Sequence, residues 1–142
     1  MRVLLIDNQP KIRTAIRFLL DQQVDIWVVG TMDTSDVLLE QANTLRPDIV
    51  LISWELWRNS ATGLLTALHA FNIRPRILVF GSRVEDEQAA LQSGADAFLC
   101  VYDPPERFLN VVRTLGDPAG HVPDGEATTP SNPPRGVNRA AE

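Results

Sequence analysis

A chain of 142 residues that is 44% hydrophobic is long enough for one domain with its own core. The net charge of −5, with twelve scattered arginines and one lysine, speaks against a nucleic-acid-binding surface. The single Cys100 cannot form an internal disulfide, no apolar run could span a membrane, and residues 1–7 reach a charge too soon for a signal peptide, so a cytoplasmic protein is expected.

The pattern along the chain alternates between two periods. Val3–Ile6 is a short apolar run, read as a buried strand, and Ile12, Ile16, Leu19 and Leu20 then recur at helical spacing. Ile26–Val29 is a second strand, with Trp27 read as core, and Val37, Leu38, Ala42 and Leu45 share one helical face. A third apolar strand, Ile49–Ile52, ends at Ser53. The segment Trp54–Ser60 reads as a long apolar loop, before Leu64, Leu65 and Leu68 mark a third helix. Ile77–Phe80 is a fourth strand. Ser82-Arg83-Val84-Glu85 fits a capping box for a fourth helix, which carries Ala90 and Leu91 and stops near Gly94. Ala97–Val101 is a fifth strand. In Asp103-Pro104-Pro105-Glu106 an acidic cap precedes proline at the first helical position, and Phe108, Val111, Val112 and Leu115 form the stripe of a fifth helix. Residues 117–142 hold five of the ten prolines and no Phe, Tyr, Trp, Leu or Ile, a composition that predicts a disordered tail after a domain over 1–116.

Strand–helix alternation with nearly continuous apolar strands implies an α/β fold, a doubly wound parallel sheet covered on both faces. Ligands of such folds sit outside the carboxyl ends of the strands. Those ends carry Asp7 and Asn8, Ser53, Gly81 and Ser82, and Val101.

The segments 3–10, 47–53 and 94–99, in this order and spacing, resemble the response-regulator receiver domain over residues 1–116. The resemblance implies a five-stranded flavodoxin-like sheet of strand order 2-1-3-4-5. It also implies five functional positions. An acidic pair that holds Mg²⁺ corresponds to Asp7 and Asn8, so one acid has become an amide. The phosphoacceptor aspartate corresponds to Ser53. The hydroxyl residue after strand four corresponds to Gly81, with Ser82 one place beyond and assigned to the helix cap. The lysine after strand five corresponds to Val101, and the switch aromatic to Phe98.

Each departure has a chemical consequence. Mg²⁺ normally takes one or two carboxylates plus phosphate oxygens, so with one carboxylate left its binding is expected to be weak or absent, and no other cofactor is implied. A serine hydroxyl is a poor nucleophile without an adjacent base, and neither His69 nor His121 lies near Ser53 in the pattern. The only lysine, Lys11, opens the first helix. The expected function is therefore that of a pseudo-receiver without catalytic residues: a phosphorylation-independent protein-interaction module in two-component-type signalling, not an enzyme. The alternatives are a regulator phosphorylated at a non-standard residue and a small-molecule-binding flavodoxin-like domain. By resemblance, the interaction face is helix four, strand five and helix five, with Arg83, Glu87, Gln88, Phe98, Tyr102, Glu106 and Arg107. Trp54 and Trp57 add a second candidate surface. A signalling protein or a second copy of the chain is the expected partner, with no direct nucleic acid or membrane contact. No DNA-binding output domain is read after residue 116, so output is expected through another chain.

Overall fold

The computed structural model describes residues 1–70 and 72–117; the predicted tail beyond 117 lies outside them. Five strands, β1 (Arg2–Ile6), β2 (Trp27–Met32), β3 (Ile49–Ser53), β4 (Arg76–Gly81) and β5 (Ala97–Cys100), form one parallel sheet of order β2-β1-β3-β4-β5. The helices between them are α1 (Pro10–Asp21), α2 (Leu38–Leu45), α3 (Trp54–Ala70), a 3₁₀ turn (Val84–Asp86) leading into α4 (Glu87–Gln92), and α5 (Pro105–Gly116). Sheet order and fold class are those expected.

Side chains alternate across a pleated strand, so each central strand feeds two cores. Val3 and Leu5 of β1 pack with Ile16 and Leu20 of α1 and with Phe108, Val112 and Leu115 of α5. Leu4 and Ile6 point the other way, toward Leu38 of α2, Trp57, Ala61 and Leu68 of α3, and Ala90 of α4. This is why β1, β3 and β4 read as unbroken apolar runs.

Five local expectations are corrected. Trp27 is 61% exposed, because Ile26, one residue earlier, takes the buried place at the start of an edge strand. Val37 is likewise exposed, at the N-cap of α2 rather than on its inner face. The expected loop Trp54–Ser60 is the first two turns of α3: Trp57, Ala61 and Leu68 form its buried stripe, and no glycine or proline interrupts residues 54–62. The two predicted caps also differ. Ser82 is exposed and caps nothing, since a 3₁₀ turn precedes α4 and both N-caps lack a side-chain hydrogen bond. At α5 the N-cap is Pro104 with Pro105 at the first helical position, while Asp103 Oδ2 accepts from the Cys100 backbone N–H and from Arg107 Nε, both at 3.3 Å.

Gly94 ends the α4 region as predicted. Its φ of +110° suits glycine, and an added Cβ would lie 2.4 Å from Leu65 Cδ1 on α3. Cys100 is buried, a small apolar residue of the last strand. Among the described residues, no helix is long and apolar enough to cross a membrane.

Candidate functional site

The strand registers bring Asp7, Ser53, Gly81 and Val101 to one edge of the sheet. Ile6 pairs with Ile52, Ser53 with Phe80, and Gly81 with Cys100, so each chain leaves its strand at the same level. They open onto a cleft of about 350 Å³. Asp7 and Ser53 are its floor, Ile12, Trp54, Val101 and Tyr102 its apolar walls, and Glu55, Asp86, Arg58 and Arg83 its charged mouth. Asn8 is exposed and is not part of the lining; Lys11 is exposed and is also absent from it.

Asp7 is 1% exposed and Ser53 6%. Asp7 is fixed through its backbone, its N–H donating to Met32 O at 3.0 Å and its carbonyl accepting from Arg13 Nη1 at 2.6 Å. Its Oδ1 accepts from the Gln9 N–H at 3.3 Å, whereas Oδ2 and the facing Ser53 Oγ are buried without completing a hydrogen bond. Burial pushes the Asp7 carboxyl above the usual carboxylate range. The Gln9 N–H, the nearby Ser53 hydroxyl, the Asn8 N–H and the Arg13 guanidinium oppose that shift without cancelling it.

A carboxyl whose folded pKa is raised stabilises the fold most below its unfolded pKa, and that stability is lost as pH rises through the folded value. Asp7→Asn is therefore expected to gain about 1 kcal/mol at neutral pH, by removing an unpaired buried charge. The gain should vanish below about pH 4, where the wild-type carboxyl is protonated in both states. Urea midpoints across this range check the expectation; a variant weaker than wild type at neutral pH would contradict it.

Gly81 leaves space that Phe98 and Trp54 fill. A Cβ at residue 81 would stand 3.3 Å from Trp54 Cβ and 3.4 Å from Phe98 Cζ. Phe98 is 7% exposed, its ring turned into the core beside α3 and α4. Phe98 is thus withdrawn from the expected interaction face. Trp57 is withdrawn too, being 0% exposed. Its indole Nε1 donates to Ser93 Oγ at 2.8 Å, and Ser93 Oγ donates to Ala90 O at 2.8 Å. This chain ties α3 to the end of α4. Trp54 is half-buried in the cleft wall. Arg83, Glu87, Gln88, Tyr102, Glu106 and Arg107 are all exposed, beside exposed Val84 and Leu91.

Sequence reasoning missed Arg13, Arg58 and Ser93, and placed Arg83 on the interaction face without its role at the cleft. Arg13 lies on the first turns of α1, at the pole of the sheet that Asp7 occupies, which is a signal a topological reading can use. Arg58 on α3 and Arg83 in the loop after β4 bring positive charge to the mouth from segments far apart in sequence. Ser93 lies 36 residues from Trp57, and nothing local announces the pair.

A sheet of this order with an acid after β1, a polar residue ending β3 and a cleft between them is a flavodoxin-like arrangement of the receiver kind. The chain belongs to the response regulator receiver domain family, which it matches over residues 3–111. It is similar to the nitrate/nitrite response regulator NarL of Escherichia coli K12, 32% identical over 130 residues, which is 90% of this chain and 59% of that protein. The protein-glutamate methylesterase/protein-glutamine glutaminase of Idiomarina loihiensis is 26% identical over 117 residues, 80% of this chain and 29% of that protein. The chain thus spans well under two thirds of either relative. The solved signal receiver domain of the response regulator NarL from Mycobacterium tuberculosis superposes with a TM-score of 0.70 at 22% identity, covering 81% of this chain and 94% of that one. That likeness speaks for the fold alone.

Proposed function

We propose that this receiver domain is a pseudo-receiver, a phosphorylation-independent interaction module in signalling rather than an enzyme. The observation that carries the reading is Ser53. A hydroxyl ends β3 where the family places its acceptor carboxylate, and no histidine stands beside it in the cleft lining to act as its base. Three further features support it. Asn8 points to solvent, so the cleft offers Mg²⁺ a single buried carboxylate and a hydroxyl, a poor donor set for that ion. Val101 supplies an apolar wall where a lysine would meet the phosphoryl group. Phe98 is packed inward, and the Trp57–Ser93 contact holds α4, so one standing arrangement of the α4–β5–α5 face is available for recognition. A signalling protein or a second copy of the chain would dock there through Tyr102, Val84 and Leu91, with Arg83, Glu87, Glu106 and Arg107 around them. Nucleic acid is not the proposed partner of an acidic chain.

Arg58 and Arg83 favour one second reading, because cations at the mouth could steady a phosphoryl group accepted by Ser53 or Asp7. Intact mass after incubation with acetyl phosphate, with and without Mg²⁺, decides between them. The expected result is no adduct beside a receiver that labels under the same conditions. A Mg²⁺-dependent phosphoryl adduct would overturn the proposed function and establish the second reading.

A further inference from the structure

The sheet has two edges, and they differ. β5 has four residues, all buried, so its backbone is shielded; β2 has six, none of them buried. An open edge strand presents unpaired backbone N–H and C=O groups, which proteins usually blunt with charged residues, proline or a cover. Residues 27–32 carry no charge and no proline. A bulge at Val29 adds twist, yet the pairing to β1 continues on both sides of it. The Trp27 N–H donates to Met1 O at 2.8 Å and Met32 O accepts from the Asp7 N–H at 3.0 Å, so both residues turn these backbone groups toward β1. Successive residues of a strand face alternate ways, which leaves Val28 and Thr31 turned outward. Beside this edge, α1 and β2 enclose a shallow hollow of about 300 Å³ lined by Arg13, Thr14, Arg17, Phe18, Asp21 and Thr31. Phe18 is 68% exposed there. Val28 packs toward the α1 side, so Trp27, 61% exposed, lies on the opposite face of the sheet.

We propose that the β2 edge is a self-association surface, on which a second copy of the chain pairs its own β2 antiparallel about a two-fold axis. The pairing would join two five-stranded sheets into one and satisfy the outward backbone groups of both copies. Paired strands lie about 4.8 Å apart. Because α1 packs over β1 and β2, it would lie about 10 Å from its mate, the spacing of packed helices. The two α1 helices would run antiparallel, so that Arg13 of each copy stands level with Asp21 of the other, with the two Phe18 rings between them. Asp21 already holds Arg17 at 3.3 Å, and Arg13 already donates to Asp7 O, so these rim charges set orientation more than affinity. On the opposite face Trp27 would cover the joint. β2 is the edge of the sheet remote from β5, which leaves the α4–β5–α5 face open to a signalling partner. The inference does not depend on the pseudo-receiver reading, and a phosphoryl adduct would leave it intact.

The test is sedimentation velocity on the full chain from micromolar to near-millimolar concentration, with hydrogen exchange followed over the same range. A reversible monomer–dimer equilibrium that stops at the dimer is expected, since a two-fold pairing of edges closes on itself. Exchange of the Val28 and Thr31 amides should slow as the dimer forms. Thr31→Lys and Phe18→Lys should each weaken the dimer about tenfold or more, because each substitution sets two like charges against one another at the joint. Both residues are exposed, so the thermal melts of the variants should stay close to wild type; two variants keep the result readable if one misfolds. Tyr102→Lys, on the α4–β5–α5 face, should leave the dimer unchanged. A chain that stays monomeric throughout, or a dimer indifferent to both β2-edge variants, would overturn the proposal. So would amide exchange along residues 28–31 that does not change with concentration. A dimer lost in Tyr102→Lys would also overturn it and assign self-association to the signalling face.

Discussion

Replacing Ser53 by aspartate is expected to weaken the fold, although under the proposed function it restores the acceptor carboxylate. Asp7 already buries a carboxylate whose Oδ2 is unpaired, and Ser53 faces it across the cleft floor. A second carboxylate would share that space. Two like charges in one desolvated site drive at least one pKa up by about two units or more, a cost of about 2–3 kcal/mol at neutral pH. A group whose folded pKa is raised contributes stability below its unfolded pKa and loses it as pH rises through the folded value. Ser53→Asp should therefore match wild type below about pH 4 and fall progressively behind it above. Millimolar Mg²⁺ should recover part of the loss in the variant, because two carboxylates begin to make a hard-cation site, and should do little for wild type. Thermal melts over pH, with and without Mg²⁺, check all three statements. A variant as stable as wild type at neutral pH without the metal would show that the floor is far better solvated than its burial implies.

Truncating Trp57 should be strongly destabilising, since it is the bulkiest of the fully buried side chains. The side chain is fully buried among α3, α4 and the sheet. Trp57→Ala is expected to cost about 3–5 kcal/mol through lost packing and the cavity left behind. Against a total stability of about 5–15 kcal/mol for a domain, that leaves a protein partly unfolded under mild denaturant. Trp57→Phe separates packing from the hydrogen bond. It keeps a ring but removes the donor to Ser93 Oγ, which retains its bond to Ala90 O, so about 1–2 kcal/mol is expected. Ser93→Ala should cost about 1–3 kcal/mol, because the indole N–H is then buried without an acceptor. The double variant should show coupling of about 1 kcal/mol, as for residues in direct contact. Hydrogen exchange over residues 87–93 should quicken in Trp57→Phe if this contact holds α4. Unchanged exchange there would show that α4 is steadied by other packing, and the single-conformation account of the signalling face would lose its main support.

The fold was legible because its signals are local and repeated. Apolar runs at 3–6, 49–52 and 77–80 separated by helical stripes already define a parallel sheet covered on both faces. The residues that the resemblance aligns with the acid pair, the acceptor and the lysine, namely Asp7, Asn8, Ser53 and Val101, were legible too, since residue identity needs no coordinates. Edges and rims were less so. Trp27 reads as core by its apolarity, but on an edge strand a one-residue phase decides burial, and Ile26 holds the inner place. Trp54–Ser60 reads as loop when the third helix is started at Leu64, although Trp57, Ala61, Leu64 and Leu68 carry helical spacing across it.

The topology and the family are thus carried by the chain alone, because hydrophobic period and residue identity are properties of the chain. Folding is what sets Asp7 against Ser53, brings Arg58 and Arg83 to one mouth, and lets Trp57 reach Ser93 across 36 residues. Those relations depend on where crossovers return the chain and on which way each side chain leaves its backbone. Desolvation and hydrogen bonding act on that three-dimensional neighbourhood, and no spacing along the chain encodes it.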